Sequence, residues 1–476
     1  MSIFKAYDIR GVYPSELNED IAYRVARAMV RFNHATTIAV GSDARVSSPS
    51  LKRAVLQGIL DEGARAVDVG IVSTPMFNFS VAAYPAHEAG IMVSASHNPP
   101  QYNGLKLCNG TARAIGKETG MPEIESIVRT MAHLTYPATE VQLDVEKKDI
   151  STAYVQKLFS LVNPSTIKPL TVVVDAANAV GGVGAHAIFP HLKAKLVPLY
   201  FELDGTFPHH LGDPLKPETL VDLQTKVKEV HADLGVAYDG DADRIGFVDE
   251  QGTIVPMDLV GALLAQEVLQ AHKGAEVLHD VRVSNVLLEE VRASHGVPVL
   301  ERVGHAYMKQ RLAQEPRAVL GVELSGHYYW RDFFNIECTD LAWLMIAALM
   351  SREGKAFSEL VRPLRRYAHS GEINFTVVDK EAKMQQILAH YKEEASSIET
   401  MDGIRMNFFP RLALHGRGPA APSRSMYSLR QGEGVFWWWF SLRASNTEPL
   451  LRLNVEASTK EIMEAKRGEL IDFITS

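Results

Sequence analysis

The chain has two cysteines in 476 residues, no basic run, and no apolar stretch near the ~18 residues a membrane-spanning helix needs. Each scarcity excludes a class of protein. Cys108 and Cys338 have neither CxxC nor metal-ligand spacing, so ordinary buried thiols of a reducing compartment are expected rather than a disulfide scaffold or a zinc module. Lys plus Arg number 49 against 57 Asp plus Glu, a formal charge of -8, and there is no aromatic-basic alternation, so no nucleic-acid partner is expected. An anionic ligand must then be met by a local basic pocket. Met1 to Tyr7 carries no charged and apolar leader, and the expectation is a soluble, cytoplasmic protein without membrane contact.

Apolar side chains make up 46% of the sequence, and the length exceeds what one core organises, so several domains are expected. Leu17, Ile21, Val25 and Met29 mark one face of a helix over 17–32. Strands at 38–41, 66–72 and 90–95, with helices at 51–62 and 77–84 between them, read as βαβαβ and hence a mostly parallel sheet covered by helices. The pattern returns with strands at 170–175, 195–200 and 234–239 and a helix at 220–231, and again with strands at 276–281, 297–303 and 318–323. From about Ser370 the texture becomes α+β: a strand at 372–378, a helix at 380–395, strands at 436–442 and 450–456, and a last helix at 460–474. Between them Pro410 to Gly434, rich in Pro, Gly, Ser and Arg, reads as a long loop. The fold class is therefore α/β: three similar α/β domains with mixed, mostly parallel sheets, then a C-terminal α+β domain, with boundaries at 1–149, 150–252, 253–367 and 368–476.

Ligands gather at the carboxyl ends of strands in open α/β sheets, and the polar constellations fall there. Val93 to Lys106 (VSASHNPPQYNGLK) sets Ser96 in a turn-rich loop after an apolar strand, where its hydroxyl is a candidate nucleophile or phosphate carrier. Asp239, Asp241 and Asp243 alternate in the run Asp239 to Arg244. Three like charges there are costly without a cation, and oxygen ligands suit a hard divalent ion. Arg244 could hold a phosphate oxygen through a bidentate contact. Glu323, Ser325 and His327 alternate after another strand, a spacing suited to reading sugar hydroxyls or to a capped turn. Arg443 to Pro449 (RASNTEP) gathers an arginine, two hydroxyls and an amide, a plausible phosphate cradle. A phosphorylatable serine beside a magnesium site indicates phosphoryl transfer. Gly181 to Gly184 does not match GxGxxG, so no dinucleotide site is expected. Trp437 to Trp439 reads as a packed strand, and His209 and His210 lack a convincing partner pattern.

With these four constellations in this order, from Lys5-Ala6-Tyr7-Asp8-Ile9-Arg10-Gly11 to Ser445-Asn446-Thr447-Glu448-Pro449, the chain resembles the α-D-phosphohexomutase family over essentially its whole length. The resemblance implies a four-domain enzyme with a central cleft that a mobile fourth domain closes. It implies that Ser96 carries the phosphoryl group and that Asp239, Asp241 and Asp243, completed by that phosphate, hold Mg2+. Glu323 and Ser325 would read sugar hydroxyls with His327 in the same loop, and Arg443, Ser445, Asn446 and Thr447 would grip the non-transferring phosphate. Tyr7, Arg10, Lys106, Arg244, Arg282 and His305 also fall on family positions, with Lys106 and His305 as the acid/base candidates. The implied reaction interconverts mannose 6-phosphate and mannose 1-phosphate through hexose 1,6-bisphosphate, which also serves as activator. Alternatives are a phosphoglucomutase-dominant or phosphoglucosamine-mutating enzyme, a simple phosphatase, or a non-catalytic sugar-phosphate-binding relative. Monomer and dimer both remain open.

Overall fold

The computed structural model describes residues 3–137, 143–409, 436–444 and 450–476. The first sheet orders its strands as Ile9–Val12, Tyr102–Asn109, Ala89–Val93, Thr37–Ser42, Arg65–Ile71 and Glu146–Lys147. The second runs Ile254–Val255, Ile245–Asp249, Leu234–Tyr238, Thr171–Asp175 and Lys195–Leu199, and the third Val297–Leu300, Glu276–His279, Ala318–Val322, Tyr328–Trp330 and Ile336–Glu337. Within each, the inner strands pair parallel, as Thr37–Ser42, Thr171–Asp175 and Glu276–His279 do with both neighbours. Central strands such as Thr171–Asp175 are apolar almost throughout because both faces are covered. The α/β expectation holds for all three.

Each of these sheets then departs from the parallel pattern at the same place. The last parallel strand turns back into an antiparallel neighbour: Val93 pairs with Leu105, Tyr238 with Ile245, and Val322 with Tyr328. The fourth sheet is wholly antiparallel and repeats the move, with Ala444 opposite Leu451. The Ser96 loop, the aspartate loop and the Glu323 loop are thus the same topological connection in three successive units. Sequence reading did not find these return strands. Tyr102–Asn109 carries Asn103, Gly104 and Lys106 among apolar residues, so no clean alternation marks it, and Lys106 stands on a strand rather than in the loop.

One continuous apolar cluster joins the first three units, running from Phe77 and Phe79 of the helix Thr74–Ala83 through Val172 and Tyr238 to Val322 and Trp343. A second lies on the other face of the first sheet. The fourth unit has a core of its own, around Ile404, Met406, Phe440, Leu442 and Leu453. The tryptophan run reads as expected: Trp439 is fully buried, and Trp438 stacks on Phe408 at 3.9 Å. Cys108 and Cys338 are free and buried. No described helix is long and apolar enough to cross a membrane. The long-loop reading of Pro410 to Gly434 lies outside the described residues.

Candidate active site

Ser96 follows the buried strand Ala89–Val93 and adopts φ 50°, the left-handed region that costs a non-glycine residue about 1–2 kcal/mol. A residue is held so only where its surroundings over-determine it, and such outliers cluster at functional sites. Here Ser94 Oγ accepts from the Ser96 amide at 3.0 Å, and Arg45 donates to the Ser96 carbonyl at 2.7 Å. The Ser96 hydroxyl, 3% exposed as a residue, donates to Asp239 Oδ2 at 2.7 Å and lies 3.1 Å from His97 Nδ1. The two loops touch so closely that a Cβ on Gly240 would stand 2.2 Å from the Ser96 carbonyl oxygen. Only glycine fits there.

The aspartate loop bends at Ala242, also left-handed at φ 59°, and this turn brings the three carboxylates together: one oxygen from each of Asp239, Asp241 and Asp243 lies within 4.8 Å of the others. All three are buried. Thr74, at the N-terminus of a first-unit helix, donates its hydroxyl to Asp241 Oδ2 at 2.6 Å and its amide to the Asp241 carbonyl, where the helix dipole favours negative charge. From the third unit Thr339 donates to the Ala242 carbonyl at 2.7 Å and Asp340 accepts from Tyr238 at 2.5 Å. Lys106 Nζ lies 2.6 Å from Asp241 and 2.5 Å from Asp243.

Charge is not balanced in this cluster. Burial, then the charges of Asp243 and Asp241, push Asp239 up to about 8. Burial would raise Asp243 too, but Lys106 and then His327 outweigh it and hold that carboxyl well below the usual range. Burial opposes the proton on Lys106, yet Asp241 and Asp243 raise its pKa well above the ordinary lysine value. Asp241 Oδ1 is buried without a hydrogen-bond partner. Three converging carboxylates with an unused oxygen and an ammonium drawn among them fit a hard divalent cation.

The sugar-reading candidates form one network. Glu323 accepts from the Gly304 amide at 2.7 Å and from Tyr329 at 2.7 Å, and lies 3.1 Å from His327 Nδ1. His327 Nε2 reaches Asp243 at 3.2 Å, and Ser325 Oγ lies 2.9 Å from His327 Nδ1. Burial disfavours protonated His327, but Asp243 and Glu323 overcome it and bring the pKa up to about 9. This loop therefore contacts the aspartate loop directly.

Tyr7 and His305 pack edge to face at 5.6 Å, and Tyr7 donates to the Val303 carbonyl at 3.3 Å, joining the first unit to the third. Burial, then Lys309 and Lys106, hold His305 well below the ordinary histidine range, so it is neutral, and its Nδ1 is buried without a hydrogen-bond partner. Arg10, on the strand Ile9–Val12, donates to Asn98 Oδ1 in the serine loop at 2.5 Å and to Asp8 at 2.5 Å. The Arg244 amide donates to Asp239 Oδ1 at 3.1 Å. Arg282 is held by Asp280 at 2.6 Å and lies 3.5 Å from Glu372 of the fourth unit. Arg443 is the next-to-last residue of the strand Trp438–Ala444, with Nε 3.4 Å from Asp402, which itself accepts from the Val303 amide at 2.9 Å. Ser445, Asn446 and Thr447 lie outside the described residues.

Sequence reasoning missed Asp43, Arg45, Thr74, Ser94, Tyr329 and Asp402. Asp43 and Arg45 sit just past the strand Thr37–Ser42, so the strand-end rule that found Ser96 would have found them. His209 and His210 need correction. His209 Nδ1 lies 2.7 Å from Asn178 Oδ1 and its ring stacks on Tyr200 at 3.8 Å, while His210 Nε2 lies 3.0 Å from the buried Asp175. Their partners come from other segments, at a separation no local spacing reveals.

This four-unit arrangement has counterparts. Residues 1–134, 152–252 and 256–367 match the models of phosphoglucomutase/phosphomannomutase alpha/beta/alpha domains I, II and III, and 372–472 match the C-terminal domain of that family. A phosphohexose mutase of Xanthomonas campestris pv. campestris is 37% identical over 473 residues, covering 99% of this chain and 98% of that one. A phosphomannomutase of Vibrio cholerae is 36% identical over 487 residues, covering 100% and 98%. The crystal structure of a phosphoglucomutase/phosphomannomutase family protein from Burkholderia thailandensis superposes with a TM-score of 0.83 at 29% identity, covering 99% of this chain and 96% of that one. The chain belongs to the α-D-phosphohexomutase family, and its activity is that of a phosphohexomutase.

Proposed function

We propose that the protein interconverts mannose 6-phosphate and mannose 1-phosphate through a phosphoserine at Ser96 and a bound hexose 1,6-bisphosphate. The observation that carries the reading is the 2.7 Å hydrogen bond from the Ser96 hydroxyl to Asp239 within a buried, cation-hungry triad. Asp239, Asp241 and Asp243 would hold Mg2+ together with an oxygen of the Ser96 phosphate. The ion, when bound, supplies positive charge against which negative charge on the transferring phosphoryl group develops.

The remaining work falls to side chains. The free hydroxyl of a hexose monophosphate attacks the phosphorus on Ser96, the bond to Ser96 Oγ breaks, and the sugar hydroxyl gives up its proton. Ser96 Oγ leaves with a proton; after the bisphosphate turns over, Ser96 Oγ attacks the other phosphorus and gives that proton up, the bond to the second sugar oxygen breaks, and that oxygen leaves protonated. Lys106, protonated between Asp241 and Asp243, and His305, neutral in its pocket, are the pair to which we assign those protons. Glu323, Ser325 and His327 orient the sugar hydroxyls. Arg443, with Ser445, Asn446 and Thr447, holds the phosphate that is not transferred, and Tyr7, Arg10, Arg244 and Arg282 line the approach. Catalysis of this kind rests on positioning and electrostatics more than on covalent chemistry. The four units, taken as 1–149, 150–252, 253–367 and 368–476, each contribute one of these loops. Reduced, buried thiols suit a cytoplasmic setting.

A coupled assay on mannose 1-phosphate, glucose 1-phosphate and glucosamine 1-phosphate, with hexose 1,6-bisphosphate as activator, tests the reading. Mannose 1-phosphate should show the highest kcat/KM. A larger value for glucosamine 1-phosphate, or no turnover of any of the three, contradicts it.

A further inference from the structure

Arg45 is 1% exposed and turns both terminal nitrogens of its guanidinium to the segment that carries Ser96. Nη2 donates to the carbonyls of Ser96 at 2.7 Å and Asn98 at 2.6 Å, and Nη1 to those of Pro99 at 2.8 Å and Tyr102 at 2.9 Å. Four carbonyl oxygens converging on one point repel unless a cation with several donors lies between them, and arginine's planar fork is the side chain that supplies this. Nε stands 3.2 Å from Asp43, whose other oxygen accepts from the Arg45 amide at 3.0 Å and from Ser48 at 2.5 Å.

The underside of the guanidinium is covered from the second unit. Phe207 lies with its ring centroid 5.1 Å from Arg45 Cζ, and the same segment packs so tightly that a Cβ on Gly205 would fall 2.4 Å from the Val46 amide nitrogen. Five residues past Phe207, a Cβ on Gly212 would lie 2.8 Å from the Gly240 amide of the aspartate loop. One stretch, 204–213, thus abuts both the arginine that shapes the serine loop and the loop that carries the triad.

We infer that Arg45, seated on Phe207, is the positioning residue that holds the Ser96 hydroxyl against the aspartate triad for phosphoryl transfer. Arg45 touches no reacting atom. It fixes the left-handed Ser96 backbone through the loop's carbonyls, and the inference rests on the reading of Ser96 as phosphate carrier. Losing the fork lets the loop relax, and displacement of a reacting group by about 1 Å can cost on the order of 100-fold in rate.

The test follows phosphate arriving on Ser96 from hexose 1,6-bisphosphate, by time-resolved intact mass, in wild type, Arg45→Lys and Phe207→Leu, with kcat and KM for the hexose monophosphate. Per folded molecule, Arg45→Lys should lose roughly 10- to 100-fold in both transfer rate and kcat while KM stays within about twofold, because the lost interaction acts on the chemical step. Arg45→Ala should regain part of its rate with millimolar guanidinium ion and none with ammonium. Wild-type transfer in Arg45→Lys, or a raised KM with unchanged transfer, overturns the inference. Should the Arg45 variants not fold, Phe207→Leu decides by the same criterion. A wild type that never takes phosphate on Ser96 overturns the functional reading and this inference together, whereas failure of the inference alone leaves wild-type phosphorylation intact.

Discussion

Ser96 and the aspartates meet across two units whose side chains share one apolar core, whereas Arg443 comes from a sheet with a separate core, joined to the third unit through polar contacts beside the Tyr367–Trp437 ring contact. At that joint Arg405 donates to the carbonyls of Val281 and Val283 at 2.9 and 3.2 Å and to Asn285 at 2.9 Å, with its guanidinium 3.8 Å from the Trp439 ring centroid. Glu456 accepts from the Asn285 amide at 3.0 Å, and Glu372 lies between Arg282 and Arg452. Separating apolar surfaces costs about 25 cal/mol per Å² exposed, while a typical hydrogen bond traded for one to water changes the balance by only about 1 kcal/mol. Large apolar interfaces hold domains together, and polar ones permit relative motion. On the proposed reading, the loops that exchange phosphate are held in register by a shared core, while the fourth sheet, with a core of its own, is free to move relative to them.

The sharpest way to break this comparison is at its fixed side. Ser96→Ala removes the carrier hydroxyl and leaves a small side chain, so mutase turnover should fall by three orders of magnitude or more, as for loss of a covalent nucleophile generally. Thermal unfolding should move little. Asp241→Asn keeps the volume but removes a ligand charge, so turnover should drop and the magnesium concentration for half-maximal activity should rise. Chelation should abolish wild-type activity, and full activity in excess chelator would break the reading of the triad.

On the side of the fourth unit the effects should be smaller and of another kind. Arg443→Ala should raise KM several-fold or more, consistent with charge-assisted hydrogen bonds worth roughly 1.5–3 kcal/mol, with Ser96 phosphorylation unaltered. An equal loss in Ser96 phosphorylation would show that the two regions are not separable. The mildest effect lies beneath the joint at His279, where burial is the main force bringing its pKa down to about 4 and its Nδ1 lies 3.0 Å from the Asp280 carbonyl. A folded pKa below the unfolded value of about 6.5 means that the unfolded chain binds the proton first, so stability is full above pH ~6.5 and falls as the pH drops toward ~4. The shift corresponds to roughly 3 kcal/mol across that window. His279→Gln should flatten that part of the stability profile in denaturant titrations at stepped pH, and an unchanged slope would remove His279 from the account.

Much of this was legible in the residues before any coordinates. Strands buried on both faces announce themselves as apolar runs, and Ser96, Asp239 and Glu323 stand immediately after such runs. What escaped were elements whose pattern depends on a partner. The return strands Tyr102–Asn109 and Ile245–Asp249 take their pairing from the strand before them, and Tyr102–Asn109 carries a lysine pointed at the triad instead of a regular stripe. The strand-end position of Arg45 was open to notice, but its role was not, since its four acceptors lie 51 to 57 residues away in sequence. The shared core of the first three units was equally invisible, since periodicity within a helix such as Thr74–Ala83 shows that its sides are apolar but not which neighbours they meet.

The central claim is that Ser96 itself carries phosphate between the two positions of the sugar. Incubation with hexose 1,6-bisphosphate labelled in its phosphates, followed by peptide mapping and a chase with unlabelled hexose monophosphate, tests it directly. Label should appear on Ser96 alone and leave with the sugar during the chase. Label on another residue, or turnover with no labelled intermediate at Ser96, would contradict the account.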